Sequence, residues 1–506
     1  MKSKKSILII LDGWGYLRKK AGNAIENANK PHFDRIIKEN PWCLLKTHSE
    51  FVGLPPHTMG GSEVGHLNIG AGRIVYQDLT RINKAINNGS FSKNKIIKKL
   101  MDNCKKHKSV LHLIGLMSDA GVHSDYRHLK EIFKIAHAQK IKCYVHVVAD
   151  GRDVEQKTAL KYIKDVEKWA KAAGQNKNIF ATLIGRFYAM DRNKRWERTQ
   201  KTYDLFVNAK GKKSEDIFSA LKDAYKKSGA EKIESDEFIE PYVIDDFKGI
   251  SENDSVFMFN YRSDRVRQLV RAFANPKFDY FPTKKLKNIV LATMCNYDSE
   301  LKLPVVFPED DVVNSIGEVI SKNKMQQFRI AETEKYAHVT YFFNGGREKP
   351  FKGEERKIIP SPHVRTYDEK PRMSIDEVEK TVVNSIYTGK YDFIVVNFAN
   401  PDMVGHTGNY KATVKAIEAT DKSLIKVFDA AAENDYNIFI CADHGNAEEM
   451  TGVHKTSHTF NPVRFIVANH DGKLKLRNGV LADIAPTILE LMGIKKPKEM
   501  GKGLIK

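Results

Sequence analysis

The chain has 506 residues, 41% hydrophobic and 29% charged, a balance that excludes disordered, fibrous and low-complexity proteins. At roughly 100–200 residues per domain, this length implies about two to four domains. Lys and Arg number 83 against 63 Asp and Glu, a formal net charge of +20, and no stretch approaches the ~18 consecutive apolar residues of a membrane span.

The lysines are spread as singles and pairs along helical patterns such as KKLMDNCKKHK and LKYIKDVEKWAKAAG, interleaved with acids. That distribution argues for a solvated surface rather than a nucleic-acid-binding face. The same field also attracts a small acidic substrate. Cys43, Cys104, Cys143, Cys295 and Cys441 include no CxxC pair, so neither a disulfide framework nor a zinc ribbon is expected. A reducing compartment, the cytoplasm, fits them.

In chain order, the first predicted element is the strand SILIIL, ending at Asp12. Its apolar run, Ile7–Leu11, is shorter than the ~7–15 residues of a signal-peptide core, and an acid follows at once. Next comes the glycine-rich run HTMGGSEVGHLNIGAGR, which sets Ser62 among small residues. Glycines let a backbone approach an anion and expose a hydroxyl, although a Gly-rich turn with a Ser cap reads equally well. VLHLIGLMSD, IKCYVHVVADGRD, NIFATLIGRF, SVFMFNYRSD and NIVLATMCNYD then read as strands. HLKEIFKIAHAQK, TALKYIKDVEKWAKAAG and RWERTQKTYDLFVNAKG read as helices between them, so the middle of the chain can form a sheet of its own. LKLPVVFPEDD reads as a linker. Beyond it, a helix over residues 413–433 lies between the strands of DFIVVNFANPD and YNIFICADHG. The fold class is α/β, with helices layered on parallel sheets.

Three of these strands lead into acids: Asp12, Asp402 and Asp443. In an open parallel sheet, ligands bind at the carboxyl ends of the strands. Each acid alone also reads as a turn or capping residue. His406 follows Asp402 by four residues, and Pro401, Gly405 and Gly408 predict a loop there. His444 adjoins Asp443, and His454 and His458 follow. Mixed carboxylates and imidazoles suit a divalent ion such as Mn²⁺ or Zn²⁺, and two clusters suggest a two-metal phosphoryl-transfer centre. Gly13 and Gly15 lack the third glycine of a dinucleotide fingerprint, and no Walker A or HExxH motif is present.

Arg152, Arg186, Arg192, Arg262 and Arg265 form a third group, at strand ends of the middle segment. Guanidinium groups hold carboxylate and phosphate bidentately, so together they suit a small polyanion, whereas singly they read as surface ion pairs. Asp153 and His123 fall in similar places and can handle protons.

With LDGWG, MGGSEVGHLNIGAGR, SDAGVHS, DGRD, GRFYAMDRNKRWER, FNYRSDR, AETEKYAHVTYFFNGG, NFANPDMVGHTG, CADHGNAEEM and KTSHTFNPV, the sequence resembles the cofactor-independent (2,3-bisphosphoglycerate-independent) phosphoglycerate mutases of the alkaline phosphatase superfamily. The resemblance spans the chain. It implies an alkaline-phosphatase-like doubly wound domain made of residues 1–75 and 312–506, with a substrate-binding transferase domain inserted at 76–311. It also implies one metal on Asp402, His406 and His458, and another on Asp12, Ser62, Asp443 and His444, with Mn²⁺ as the expected ion. The nucleophile falls on Ser62, and substrate contacts fall on His123, Arg152, Asp153, Arg186, Arg192, Arg262, Arg265 and Lys335. The implied activity interconverts 3-phosphoglycerate and 2-phosphoglycerate through a phosphoserine, in a cytoplasmic monomer that takes a small-molecule substrate and neither nucleic acid nor membrane. Gly61, Asp125 and Arg464 depart from the residues common at those positions, Asn, His and Pro.

Overall fold

Runs such as ILIIL and FIVVNF are apolar at successive positions, the pattern of strands covered on both faces. The computed structural model describes residues 4–506 except 176–177, 227–232, 310, 453–454 and 471. It divides the chain into two compact units, residues 1–77 with 311–506, and residues 78–310.

The first unit holds an eight-stranded sheet in the order Glu354–Ile359, Gln327–Glu332, Phe393–Phe398, Ser6–Leu11, Asn437–Cys441, Val463–Ala468, Trp42–Lys46 and Gly479–Val480. The first five are mutually parallel, and Val463–Ala468 runs antiparallel to both its neighbours. Every residue of Ser6–Leu11, Phe393–Phe398 and Asn437–Cys441 is buried. The helix predicted over 413–433 spans Tyr410–Glu433, because the Asn409 side chain caps it by accepting from the Ala412 amide. Arg464, the departure in NPVRF, lays its guanidinium over the rings of Tyr16 at 4.1 Å and Trp42 at 5.3 Å, a cation–π arrangement that a proline could not make.

The second unit holds its own eight-stranded sheet, in the order Val305–Phe307, Val290–Cys295, Ser255–Met258, Leu111–Met117, Cys143–Ala149, Phe180–Gly185, Tyr242–Ile244 and Lys212–Ser214. Its core is split by the sheet. Leu111, Leu113, Val145 and Val147 pack into one cluster, whereas Ile114, Leu116 and Val148 pack into another. The period of two along each strand thus buries both faces, as a doubly wound α/β fold requires. Five of the eight strands are those predicted. The other three have three residues each, too short to show a pattern. One of them, Val305–Phe307, corrects the linker reading of LKLPVVFPEDD: it pairs with Val290–Cys295 at the sheet edge, where flanking prolines are tolerated.

All five cysteines are buried and free, and burial pushes the Cys43 thiol up to about 12. An aqueous disulfide reagent is therefore expected to label none of them in native protein and five in denaturant; rapid native labelling would contradict this packing. His128 gives a pH prediction. Its buried ring meets Asn83 Oδ1 at 2.9 Å, and burial lowers its pKa from 6.5 to about 4. Between those values the unfolded chain binds a proton that the folded chain refuses, so stability falls as pH drops, by up to ~3 kcal/mol. Urea unfolding should show a loss between pH 6.5 and 4.5 that is smaller in His128→Gln; equal slopes would refute it.

Candidate active site

Phe393–Phe398, Ser6–Leu11 and Asn437–Cys441 are adjacent and parallel, so their carboxyl ends open on one side. Asp12 directly follows the central strand, and Asp443 lies two residues beyond Asn437–Cys441. Asp402 sits on a short helix, Asn400–Gly405, with Pro401 in its first turn. This corrects the loop expected there: proline is accepted in a first turn, where its missing N–H has no partner to lose. The His406 amide donates to the Asp402 carbonyl at 2.9 Å, and the two side chains share a face, with His406 Nε2 at 3.2 Å from Asp402 Oδ1.

Two groups of donors result. Asp402, His406 and His458 offer atoms within 4.8 Å of one another, and so do Asp12, Asp443 and His444. In the first group, His406 Nδ1 donates to the Thr456 carbonyl at 2.9 Å and His458 Nδ1 to the Gly60 carbonyl at 2.7 Å. Both Nε2 lone pairs are thereby turned to the same point, 3.1 Å apart, the tautomer a metal-ligating histidine adopts. His454 lies outside the described residues.

Ser62 opens the helix Ser62–Ala71, with Gly61 rather than Ser62 as its cap. Its Oγ therefore caps nothing and turns to the acids: it lies 3.3 Å from Asp12 Oδ1 and 2.9 Å from His444 Nε2. Lys335, on the helix Thr333–Ala337, completes the cluster. Its Nζ donates to Asp12 Oδ1 at 2.7 Å, Asp402 Oδ2 at 2.6 Å and Ser62 Oγ at 2.6 Å. Burial, together with Asp443 nearby, pushes Asp12 up to about 7. At Asp402, burial acts in the same upward direction, but Lys335 and His444 outweigh it and hold the pKa well below the usual range. Burial lowers His444 to about 4. Three buried carboxyl groups share a single ammonium, a cluster rich in oxygen and imidazole donors and short of positive charge, which costs stability unless cations join it. The residues therefore fit divalent metal ions.

The second unit gathers a different cluster, at the ends of Ser255–Met258, Leu111–Met117, Cys143–Ala149 and Phe180–Gly185, again adjacent and parallel. Arg186 is buried and donates to both Asp150 and Asp153 at 2.6 Å. His123 lies 3.7 Å from Asp153 and 3.6 Å from Asp264. Asp264 also meets Arg192 at 3.1 Å and Arg262 at 3.2 Å. Burial, then Arg186, lowers His123 to about 4, so its ring is neutral at pH 7. Arg265 is half-buried, its pKa lowered by burial and by Arg186, Arg192 and Arg152 nearby. Arg152 stands at the margin, 3.8 Å from Glu237. Sequence reasoning missed Asp150 and Asp264, although they lie inside the motifs DGRD and RSDR, Asp150 directly after Cys143–Ala149 and Asp264 between Ser255–Met258 and the helix Arg267–Ala274.

Comparison with known proteins now decides the family. The Metalloenzyme superfamily model matches residues 4–496. The 2,3-bisphosphoglycerate-independent phosphoglycerate mutase 1 of Methanosarcina barkeri is 49% identical over 514 residues, covering 99% of this chain and 98% of that one. The enzyme of Francisella tularensis subsp. tularensis is 49% identical over 506 residues, with 98% of each chain covered. Among solved structures, a phosphoglycerate mutase of Leishmania mexicana, studied at low cobalt concentration, superposes with a TM-score of 0.59 at 29% identity, covering 100% of this chain and 98% of that one. The chain belongs to the 2,3-bisphosphoglycerate-independent phosphoglycerate mutases.

Two departures from this family's common residues have local explanations. Asp125 is buried and caps a short turn, accepting from the Arg127 amide at 3.0 Å and from its guanidinium at 2.8 Å. Gly61 abuts a proposed ligand: a Cβ there would lie 3.2 Å from His458 Cε1. For Lys335 the electrostatics give a prediction. Chelator-stripped Lys335→Met should be less stable than chelator-stripped wild type by about 3–5 kcal/mol, and divalent metal should narrow the gap. Equal melting of the two stripped proteins would show that the ammonium does not offset the acids.

Proposed function

We propose that this chain interconverts 3-phosphoglycerate and 2-phosphoglycerate, without 2,3-bisphosphoglycerate, through a phosphoserine at Ser62. The observation that carries the reading is the position of Ser62 Oγ, at a helix start and within hydrogen-bond reach of Asp12, His444 and Lys335. One metal is assigned to Asp402, His406 and His458, and the other to Asp12, Ser62, Asp443 and His444, with Mn²⁺ as the ion. Bound there, such ions lower the pKa of the serine hydroxyl and neutralise phosphoryl oxygens.

The chain's own groups do the rest. As the Ser62 Oγ–P bond forms, the bond from phosphorus to the substrate O3 breaks, and O3 takes a proton. In the return step O2 gives up its proton, the bond from phosphorus to O2 forms, and the Ser62 Oγ–P bond breaks. Lys335 Nζ, already on Ser62 Oγ, offsets the negative charge that gathers on the transferring group. The first turn of Ser62–Ala71 has no side-chain cap, and a helix N-terminus favours an anion. Residues 1–75 with 312–506 are assigned the phosphoryl transfer, and residues 76–311 the acidic substrate. Within the latter, Arg152, Arg186, Arg192, Arg262 and Arg265 suit a carboxylate and a phosphate. Asp153 and neutral His123 are assigned proton exchange with the glycerate hydroxyls. The reading extends to a cytoplasmic monomer, the compartment of its substrate.

The test is conversion of 3-phosphoglycerate coupled to enolase, on chelator-stripped protein with Mn²⁺ restored, no 2,3-bisphosphoglycerate, and free phosphate followed in parallel. Metal-dependent isomerisation without phosphate release is expected, abolished by Ser62→Ala. Phosphate release without isomerisation would make the protein a phosphatase and refute the role given to the arginines.

A further inference from the structure

His66 and Asn397 lie behind the acids and are fully buried. Asn397 Nδ2 donates to Asp12 Oδ2 at 2.7 Å and meets His66 Nε2 at 3.1 Å. The carboxylate fixes the amide's orientation, because a carbonyl oxygen turned toward Asp12 would repel it. Nε2 of His66 is then an acceptor, which leaves the ring proton on Nδ1. That nitrogen lies 2.9 Å from the Ser62 carbonyl and 3.3 Å from Asp443 Oδ2. One imidazole and one amide thus tie together Asp12, Asp443 and the first turn of the helix that carries Ser62. The contacts join four segments: Asn397 lies on the strand Phe393–Phe398 and His66 on the helix Ser62–Ala71, while Asp12 follows Ser6–Leu11 and Asp443 lies beyond Asn437–Cys441.

We propose that His66 and Asn397 are positioning residues for the site formed by Asp12, Ser62, Asp443 and His444, holding its oxygens at the spacing a divalent ion needs. The proposal rests on the metal assignment above. In the other group, His406 and His458 take their orientation from the Thr456 and Gly60 carbonyls, Asp402 accepts from Asn446 Nδ2 at 2.8 Å, and His66 and Asn397 bond to none of the three. Loss of the brace therefore affects one site and spares the other. Groups that orient ligands in this way typically change metal affinity by about 10–100-fold.

Calorimetric titration of chelator-stripped protein with Mn²⁺, with melting temperature recorded before metal is added, separates the possibilities. His66→Phe keeps the ring volume and removes both polar contacts; His66→Asn restores a donor near the position of Nδ1; Asn397→Ala cuts the link from the other side. Two binding events are expected in the wild type. His66→Phe and Asn397→Ala should each weaken one event about 10–100-fold and leave the second unchanged, with partial recovery in His66→Asn. Isotherms identical to wild type, or equal weakening of both events, would overturn the proposal. If His66→Phe does not fold, Asn397→Ala decides by the same criterion. Absence of any Mn²⁺ binding by the wild type would instead sink the metal assignment beneath it.

Discussion

Everything in the first unit turns on three carboxylates buried where adjacent parallel strands end. Asp12, Asp402 and Asp443 are almost wholly out of water, and like charges at that distance repel strongly in a medium of low dielectric. Lys335 is the only ammonium against them among the described residues, and it bonds two of the three together with Ser62. A fold selected for stability alone has no use for such a cluster, because apolar residues of similar volume are usually at least as stable. Its retention is intelligible as a cation receptacle built around a serine. The serine is set by the helix Ser62–Ala71, whose cap is a glycine, leaving its hydroxyl free for chemistry.

The second unit solves the converse problem. Five arginines near one another would repel, and the structure pairs four of them with Asp150, Asp153, Asp264 and Glu237, while Arg265 donates to the Met190 carbonyl at 3.4 Å. The pairing is graded. Arg186 is buried and doubly bonded, which makes it part of the scaffold, whereas Arg152, Arg192 and Arg262 remain about half exposed. An anion that meets the exposed guanidinium groups gains charge-assisted bonds without first breaking a buried network. Neutral His123 among these groups is a consequence of burial and of the same positive field.

The α/β class was legible because fully buried strands leave apolar runs that need no alternation, as in ILIIL and VLHLIGL. The three-residue strands were not legible, since so short a run leaves no periodic trace, at the sheet edge or, as with Tyr242–Ile244, between two neighbours. Asp12, Asp402 and Asp443 could be read from the rule that parallel strands open their ligand side at the carboxyl end. The helical turn joining Asp402 to His406 was misread because Pro401 and two glycines signal loops on average, while proline is at home in a first turn. His66 and Asn397 escaped notice for a different reason. Nothing in a linear pattern marks a histidine inside a helix, or an asparagine inside a strand, as facing an acid that is remote in sequence.

The central claim is that Ser62 carries the phosphoryl group between two oxygens of one substrate. Protein turning over 3-phosphoglycerate with Mn²⁺, quenched in acid and analysed by peptide mass spectrometry, tests it directly. The expected result is a single phosphoryl group on Ser62, absent when substrate or metal is withheld. Rapid isomerisation with Ser62 unmodified at every quench time, or a phosphoryl group on another residue, would contradict the account.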